Sequence, residues 1–141
     1  MPGGINVETL SDPAVNNSDC LSERRSRQIL ESFLVTGGWK PEAAWSRGQG
    51  LSVEAGYGAK RWIIQLGVMK PSKQRAIDVF SSVLGEILRR MNDPLCSYSI
   101  ALPDTETFHR LWDRLPDLAK NRLELTALFI NSTGIVLEKA S

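Results

Sequence analysis

Gly50-Leu51-Ser52-Val53-Glu54-Ala55, followed after a Gly56-Tyr57-Gly58 turn by Arg61-Trp62-Ile63-Ile64-Gln65-Leu66-Gly67-Val68, is the stretch that decides the fold. In the first segment Leu51, Val53 and Ala55 alternate with Ser52 and Glu54, the period of a strand with one buried face. The second runs Trp62-Ile63-Ile64 and Leu66 nearly unbroken, which reads as a strand buried more completely. Just upstream, Ala43-Ala44-Trp45 reads as another short strand ending at the Gly48-Gln49-Gly50 loop.

Outward from these strands the period changes. Ile29, Leu30, Phe33 and Leu34 fall at helical spacing and predict a helix over 22–36, with Asp19 or Ser22 as its cap and Gly37-Gly38 as its end. Arg27 and Glu31 form a usable ion pair along it. Downstream, Pro71 suits a helix start, and Ile77, Phe80, Leu84, Ile87, Leu88 and Met91 recur every three or four residues until Asn92-Asp93-Pro94. Gly85 inside that helix is expected to let another backbone approach closely. A strand over 97–102 follows. The next helix opens at Pro103-Asp104, carries Phe108, Leu111, Trp112 and Leu115 on its apolar face, and restarts or kinks at Pro116. A strand over 124–130, a turn at Asn131-Ser132-Thr133-Gly134 and a short return strand at Ile135-Val136-Leu137 complete the order. The expected class is α/β, a mixed central sheet flanked by helices.

The chain has 141 residues, 42% of them hydrophobic and 23% charged, which suits one globular core and excludes a long disordered chain. No apolar run approaches the roughly 18 residues of a membrane-spanning helix. A net charge of +1 removes the strong global attraction to nucleic acid of a very basic domain. Cys20 and Cys96 with the lone His109 are too few for a Cys/His zinc site, and they read as reduced thiols. Met1-Pro2-Gly3-Gly4 does not begin a secretory signal, so the cytoplasm is the expected compartment. Residues 1–20 are polar, rich in Gly, Pro, Asn and Ser, and read as a flexible tail; residues 21–141 read as a single domain.

The element order helix, three strands, helix, strand resembles the αβββαβ core of the PD-(D/E)XK nuclease superfamily, the restriction-endonuclease-like fold. Small bacterial members carry segments like "GxDIEA", "WIIEVKG" and "YxIALPD". Their counterparts here are Gly50 to Ala55, Trp62 to Gly67 and Tyr98 to Asp104, and Arg110 to Lys120 is similar to a further stretch of these relatives. The resemblance spans about residues 21–138. It implies metal-assisted phosphodiester hydrolysis. An Asp and a Glu would hold Mg²⁺ or Mn²⁺, and a Lys two residues beyond the Glu would act on water and phosphate. Residues i and i+2 of a strand share a face, so that Glu and Lys reach the same metal.

This chain departs from the pattern at each of those positions. Ser52 stands for the Asp, Gln65 for the Glu and Gly67 for the Lys. The resemblance therefore implies a degenerate site with no catalytic residue and no cofactor, in a module that binds nucleic acid or a protein partner. One alternative is an atypical DNA nuclease using Mg²⁺ or Mn²⁺ through displaced ligands, Glu23 and Glu54, with Lys60 or Lys73 replacing the lysine. Against that, Glu54 fits a solvent-facing strand position and Glu23 an acidic first helical turn. Lys60, Arg61, Lys70, Lys73 and Arg75 form a basic run that would meet phosphates or simply a solvated face. Gln74 matches a helix Gln of related nucleases, but Asp78 stands where their aromatic would follow. A second alternative is a structural homodimer built on the long helix or on an exposed sheet edge. Trp62 and Trp112 read as core residues, and Trp39 and Trp45 are open to either packing or base stacking. His109 lacks a Cys, Ser or Asp constellation for a catalytic role and reads as a partly exposed helix residue.

Overall fold

The computed structural model describes residues 21–42, 51–70 and 74–141. The tail over 1–20, the strand expected at 43–45 and the helix start expected at Pro71 lie outside them.

Helix α1, Glu23–Thr36, begins where Ser22 places its Oγ 3.1 Å from the Arg25 amide, and it buries Ser26, Ile29, Leu30 and Leu34. Capping by Ser22 satisfies one of the amides a helix leaves open at its start. At the other end Gly38 takes a φ of 89°, a left-handed turn suited to glycine. Strand β1, Lys40–Pro41, follows at once. Pro41 has no amide to donate, and an outer position of the sheet tolerates it. Next come β2, Leu51–Tyr57, and β3, Lys60–Leu66. Helix α2, Ala76–Arg90, leads to β4, Cys96–Pro103; helices α3, Glu106–Arg114, and α4, Asp117–Leu123, lead to β5, Leu125–Ile130; and β6, Val136–Lys139, pairs back.

The strands lie in the order β1-β2-β3-β4-β5-β6. The centre is parallel, β3 to β4 to β5, and both flanks are antiparallel. Helix, three strands, helix, strand is the restriction-endonuclease-like αβββαβ core, extended by α3, α4, β5 and β6. One face of the sheet packs Leu51, Val53, Ala55, Trp62, Ile64 and Leu66 against α1. The other packs Ile100, Leu102, Ala127 and Phe129 against Val79, Phe80, Val83 and Ile87 of α2 and Phe108 and Trp112 of α3. Pro116 does restart the helix, as α4. No helix among the described residues is long and apolar enough to cross a membrane.

Three expectations are corrected. Strand β2 is buried on both faces rather than one, with Ser52 only 2% exposed, because α2 roofs the side opposite α1. The buried stripe of α2 runs through Val79, Phe80, Val83 and Ile87, whereas Ile77 and Leu88 are exposed. That helix carries apolar residues on more than one face, so periodicity alone misplaced the stripe. Gly85 is exposed and a Cβ there would meet nothing within 4 Å, so close backbone packing does not account for it.

Candidate functional site

Ser52 and Gln65 are cross-strand partners in the β2–β3 ladder, and Glu54 pairs with Ile63 one step along the same face. Alternation along the strands turns Ser52, Glu54 and Gln65 toward α2. Ser52 and Gln65, two of the positions named from the resemblance, therefore lie side by side. What fills them was not legible in the sequence. The guanidinium of Arg90, the last residue of α2, lies across β2 and donates from Nη1 to Ser52 Oγ at 2.6 Å and from Nη2 to Glu54 Oε2 at 3.0 Å. Glu54 is thus neither a free carboxylate nor an idle surface group, but one half of an ion pair. An arginine in a last helical turn reads in sequence as a favourable dipole partner, and nothing in the spacing announces that it reaches a strand 36 residues away.

Gly67 shows the second departure. A Cβ built there would lie 2.6 Å from Val83 Cγ2, 3.1 Å from Val79 Cγ1 and 3.2 Å from Leu102 Cδ2. The position that the resemblance aligns with a lysine is therefore packed shut by Val79 and Val83 of α2 and Leu102 of β4.

These residues do not fit the divalent cation that the fold family implies. A hard cation needs carboxylate and other oxygen ligands. Here Ser52 offers a hydroxyl already bonded to Arg90, Gln65 an amide, and Glu54 a carboxylate matched to a fixed positive charge. Among the described residues no three His, Cys, Asp or Glu side chains lie close enough to hold a metal ion.

Beside the filled site an open cavity of about 260 Å³ lies where α1, β2, β3 and α2 converge, lined in part by Glu23, Leu66, Gly67, Lys70, Gln74 and Ser82. Glu23 pairs with Arg27 at 3.0 Å. Gln74 accepts the Lys70 backbone amide on Oε1 at 3.1 Å, and Lys70 itself is exposed. Arg24 and Arg25, in the first turn of α1 next to Glu23, are exposed.

The basic run of the sequence is divided in space. Lys60 and Arg61 sit at the β2–β3 hairpin, and Lys70 and Arg75 beyond the other end of β3, roughly 20 Å away at strand rise. Arg61 is bonded to Glu42, and Arg75 to Asp78 at 3.2 Å. Lys73 lies outside the described residues, as does Trp45. Trp62 is buried and donates its Nε1–H to Ser99 Oγ at 2.8 Å, and Trp112 is fully buried. Trp39 stands half-buried, edge-on to Trp62 at 5.2 Å.

His109 has the partner that the sequence did not reveal. Its Nε2 lies 2.6 Å from Asp104 Oδ1, its ring stacks on Phe129 at 3.8 Å, and Asn131 donates to Asp104 Oδ2 at 3.2 Å. The hydrogen bond from His109 holds the Asp104 carboxyl below its ordinary range, aided by Asn131 and opposed by burial. No nucleophilic side chain joins this pair in the structure's hydrogen bonds, and the three groups tie the end of β4 to the end of β5.

Solved structures share the fold, two of them with the following likeness. One is an XisH family protein from Nostoc punctiforme, 15% identical, covering 83% of this chain and 99% of its own, with a TM-score of 0.58. The other is an fdxN element excision controlling factor protein from Anabaena variabilis, 14% identical, covering 84% of this chain and 100% of its own, with a TM-score of 0.59. No family model matches the sequence, and no curated protein does. The likeness extends across both of those chains almost end to end. It establishes the architecture, and the function has to come from the site.

Proposed function

We propose that this chain is a catalytically silent nuclease-fold module that binds nucleic acid through phosphate contacts at the cavity beside β3. The observation that carries the reading is the position of Arg90. A guanidinium bonded to Ser52 and Glu54 supplies from the protein itself the positive charge that a metal would bring, and it leaves no anionic ligand pair to bind one. Packing at Gly67 removes room for the lysine. The neighbouring cavity keeps an exposed ammonium at Lys70 and, on the adjacent helix turn, Arg24 and Arg25. Such cations contact phosphates without reading sequence. The fold neighbour described as controlling excision of the fdxN element supports an assignment to DNA transactions.

The test is fluorescence anisotropy with a labelled DNA duplex across a salt series, with and without EDTA. Three phosphate contacts give a log–log slope of about −2.7, a loss of roughly 40-fold between 50 and 200 mM salt. Charge reversal at Arg24, Arg25 and Lys70 removes binding, and EDTA does not. Salt-independent binding, no binding, or Mn²⁺-dependent cleavage abolished by Glu54→Ala each overturns the proposal, and the last restores the displaced-ligand nuclease. Self-association is a separate proposal. It rests on the outer strand β6 and the residue before it, where Leu137 and Ile135 are 50% and 65% exposed. A mass that does not change with concentration rejects it.

A further inference from the structure

A second cavity, of about 460 Å³, opens at the far end of α1 from the site above, and its chemistry is opposite. Phe33 and Thr36 of α1, Trp39, Trp62 of β3 and Glu138 of β6 line it. The rings are not parallel. Phe33 meets Trp62 at 6.3 Å and 66°, and Trp39 meets Trp62 at 5.2 Å and 62°, so they form walls at an angle rather than a closed stack. Tyr57, itself 52% exposed, extends the wall from the far side of Trp39 at 5.6 Å.

Each electrostatic feature of the cavity has the same sign. Aromatic faces are the negative side of a ring quadrupole. The last turn of α1 carries no basic residue, so the partial negative charge of the helix end is uncompensated there. Glu138 is exposed at the rim, and no described basic side chain pairs with it. The nearest cation in sequence, Lys139, is turned to the opposite face of the sheet, where it pairs with Asp113 at 3.0 Å. None of the described residues lining the cavity is basic.

We propose that this cavity is a docking site for an arginine side chain of a partner protein. The guanidinium stacks on Trp39 and Trp62 and pairs with Glu138. A planar cation suits inclined aromatic walls with a carboxylate at the rim, and charge complementarity selects it over an anionic strand. A nucleic-acid base could stack on the same rings. Its phosphate would then face Glu138 with no lysine or arginine in the lining to offset the repulsion. This inference is independent of the DNA-binding proposal and involves a different end of the molecule.

The experiment follows the indole N–H signals of the ¹⁵N-labelled full chain by NMR, assigned with Trp→Phe variants. The probes are acetyl-Gly-Arg-Gly-amide, the same peptide with citrulline in place of arginine, and oligothymidylate. The arginine peptide shifts the Trp39 and Trp62 signals saturably and leaves Trp112, fully buried among the residues under α2 and α3, unmoved. The citrulline peptide binds at least roughly tenfold more weakly, as loss of a cation–π and ion-pair interaction requires. Glu138→Gln, at a surface position that does not threaten folding, weakens the arginine peptide roughly three- to tenfold, and Trp39→Leu abolishes its effect. Equal affinity for the arginine and citrulline peptides, an unchanged Glu138→Gln variant, or a response to oligothymidylate alone overturns the proposal.

Discussion

Replacing Gly67 with alanine tests how tightly α2 closes over the residue that follows β3. The new Cβ would lie 2.6 Å from Val83 Cγ2, about 1 Å inside normal carbon–carbon contact. Val83 cannot swing clear at low cost, because a β-branched side chain in a helix has one strongly preferred rotamer. Val79 at 3.1 Å and Leu102 at 3.2 Å block the remaining directions. Overpacking of this kind costs about 1–3 kcal/mol. Against it stands the lower conformational entropy of an unfolded alanine chain, about 0.4–1 kcal/mol. That gain applies in full, since the positive φ values among the glycines belong to Gly38, Gly58 and Gly134. The amide of Gly67 keeps its bond to Ala101 O at 2.8 Å in either case. The net loss is therefore about 1–2 kcal/mol, a fall in Tm of roughly 3–10 °C for a domain of this size. Urea denaturation followed by circular dichroism measures it. The companion Val83→Ala opens the space, so the double variant loses less than the two single losses added, with a coupling near 1 kcal/mol. A Gly67→Ala protein as stable as the parent, or strictly additive losses, refutes the closed-pocket reasoning.

Two further outcomes follow from the polar contacts. Arg90→Met removes the bonds to Ser52 and Glu54 and destabilises the fold by about 1–2 kcal/mol, the worth of charge-assisted bonds reduced by partial exposure. Adding Glu54→Gln recovers part of that loss, and a double variant less stable than Arg90→Met in urea denaturation contradicts the pairing. Asp104→Asn is destabilising at neutral pH. Because the folded state depresses the Asp104 pKa, the stability it contributes is fully present above the ordinary value of 3.8 and is lost as pH falls through the lower folded value. Denaturation of parent and variant at pH 7 and pH 3 shows a gap that narrows at the acid end, and a gap that stays constant or widens rejects the assignment.

The sequence displayed the scaffold far better than the contents of its site. Alternation in 51–55 and the contiguous apolar run at 62–66 located β2 and β3, and glycines and prolines located most element ends, because those signals are local. The resemblance set Ser52, Gln65 and Gly67 against the Asp, Glu and Lys of the nuclease pattern. What could not be read were facts of tertiary geometry. Arg90 reaches Ser52 across 38 residues, and the basic run splits because β3 separates its halves. The burial of Ser52 likewise depends on a helix beginning more than 20 residues later.

A single electrostatic argument links the two ends of α1. In a metal-dependent nuclease the site attracts phosphate only once the cation has offset its carboxylates, so affinity and chemistry share one switch. Here the Arg90–Glu54 pair is neutral as a unit and permanently in place. It contributes little long-range field, and the positive charge beside the cavity comes instead from Lys70 and the first turn of α1, where the helix end is itself partially positive. The same helix presents its partially negative end to the aromatic cavity at Trp39, where no basic residue neutralises it. The two ends of α1 thus differ in sign, the first suited to anions and the second to cations.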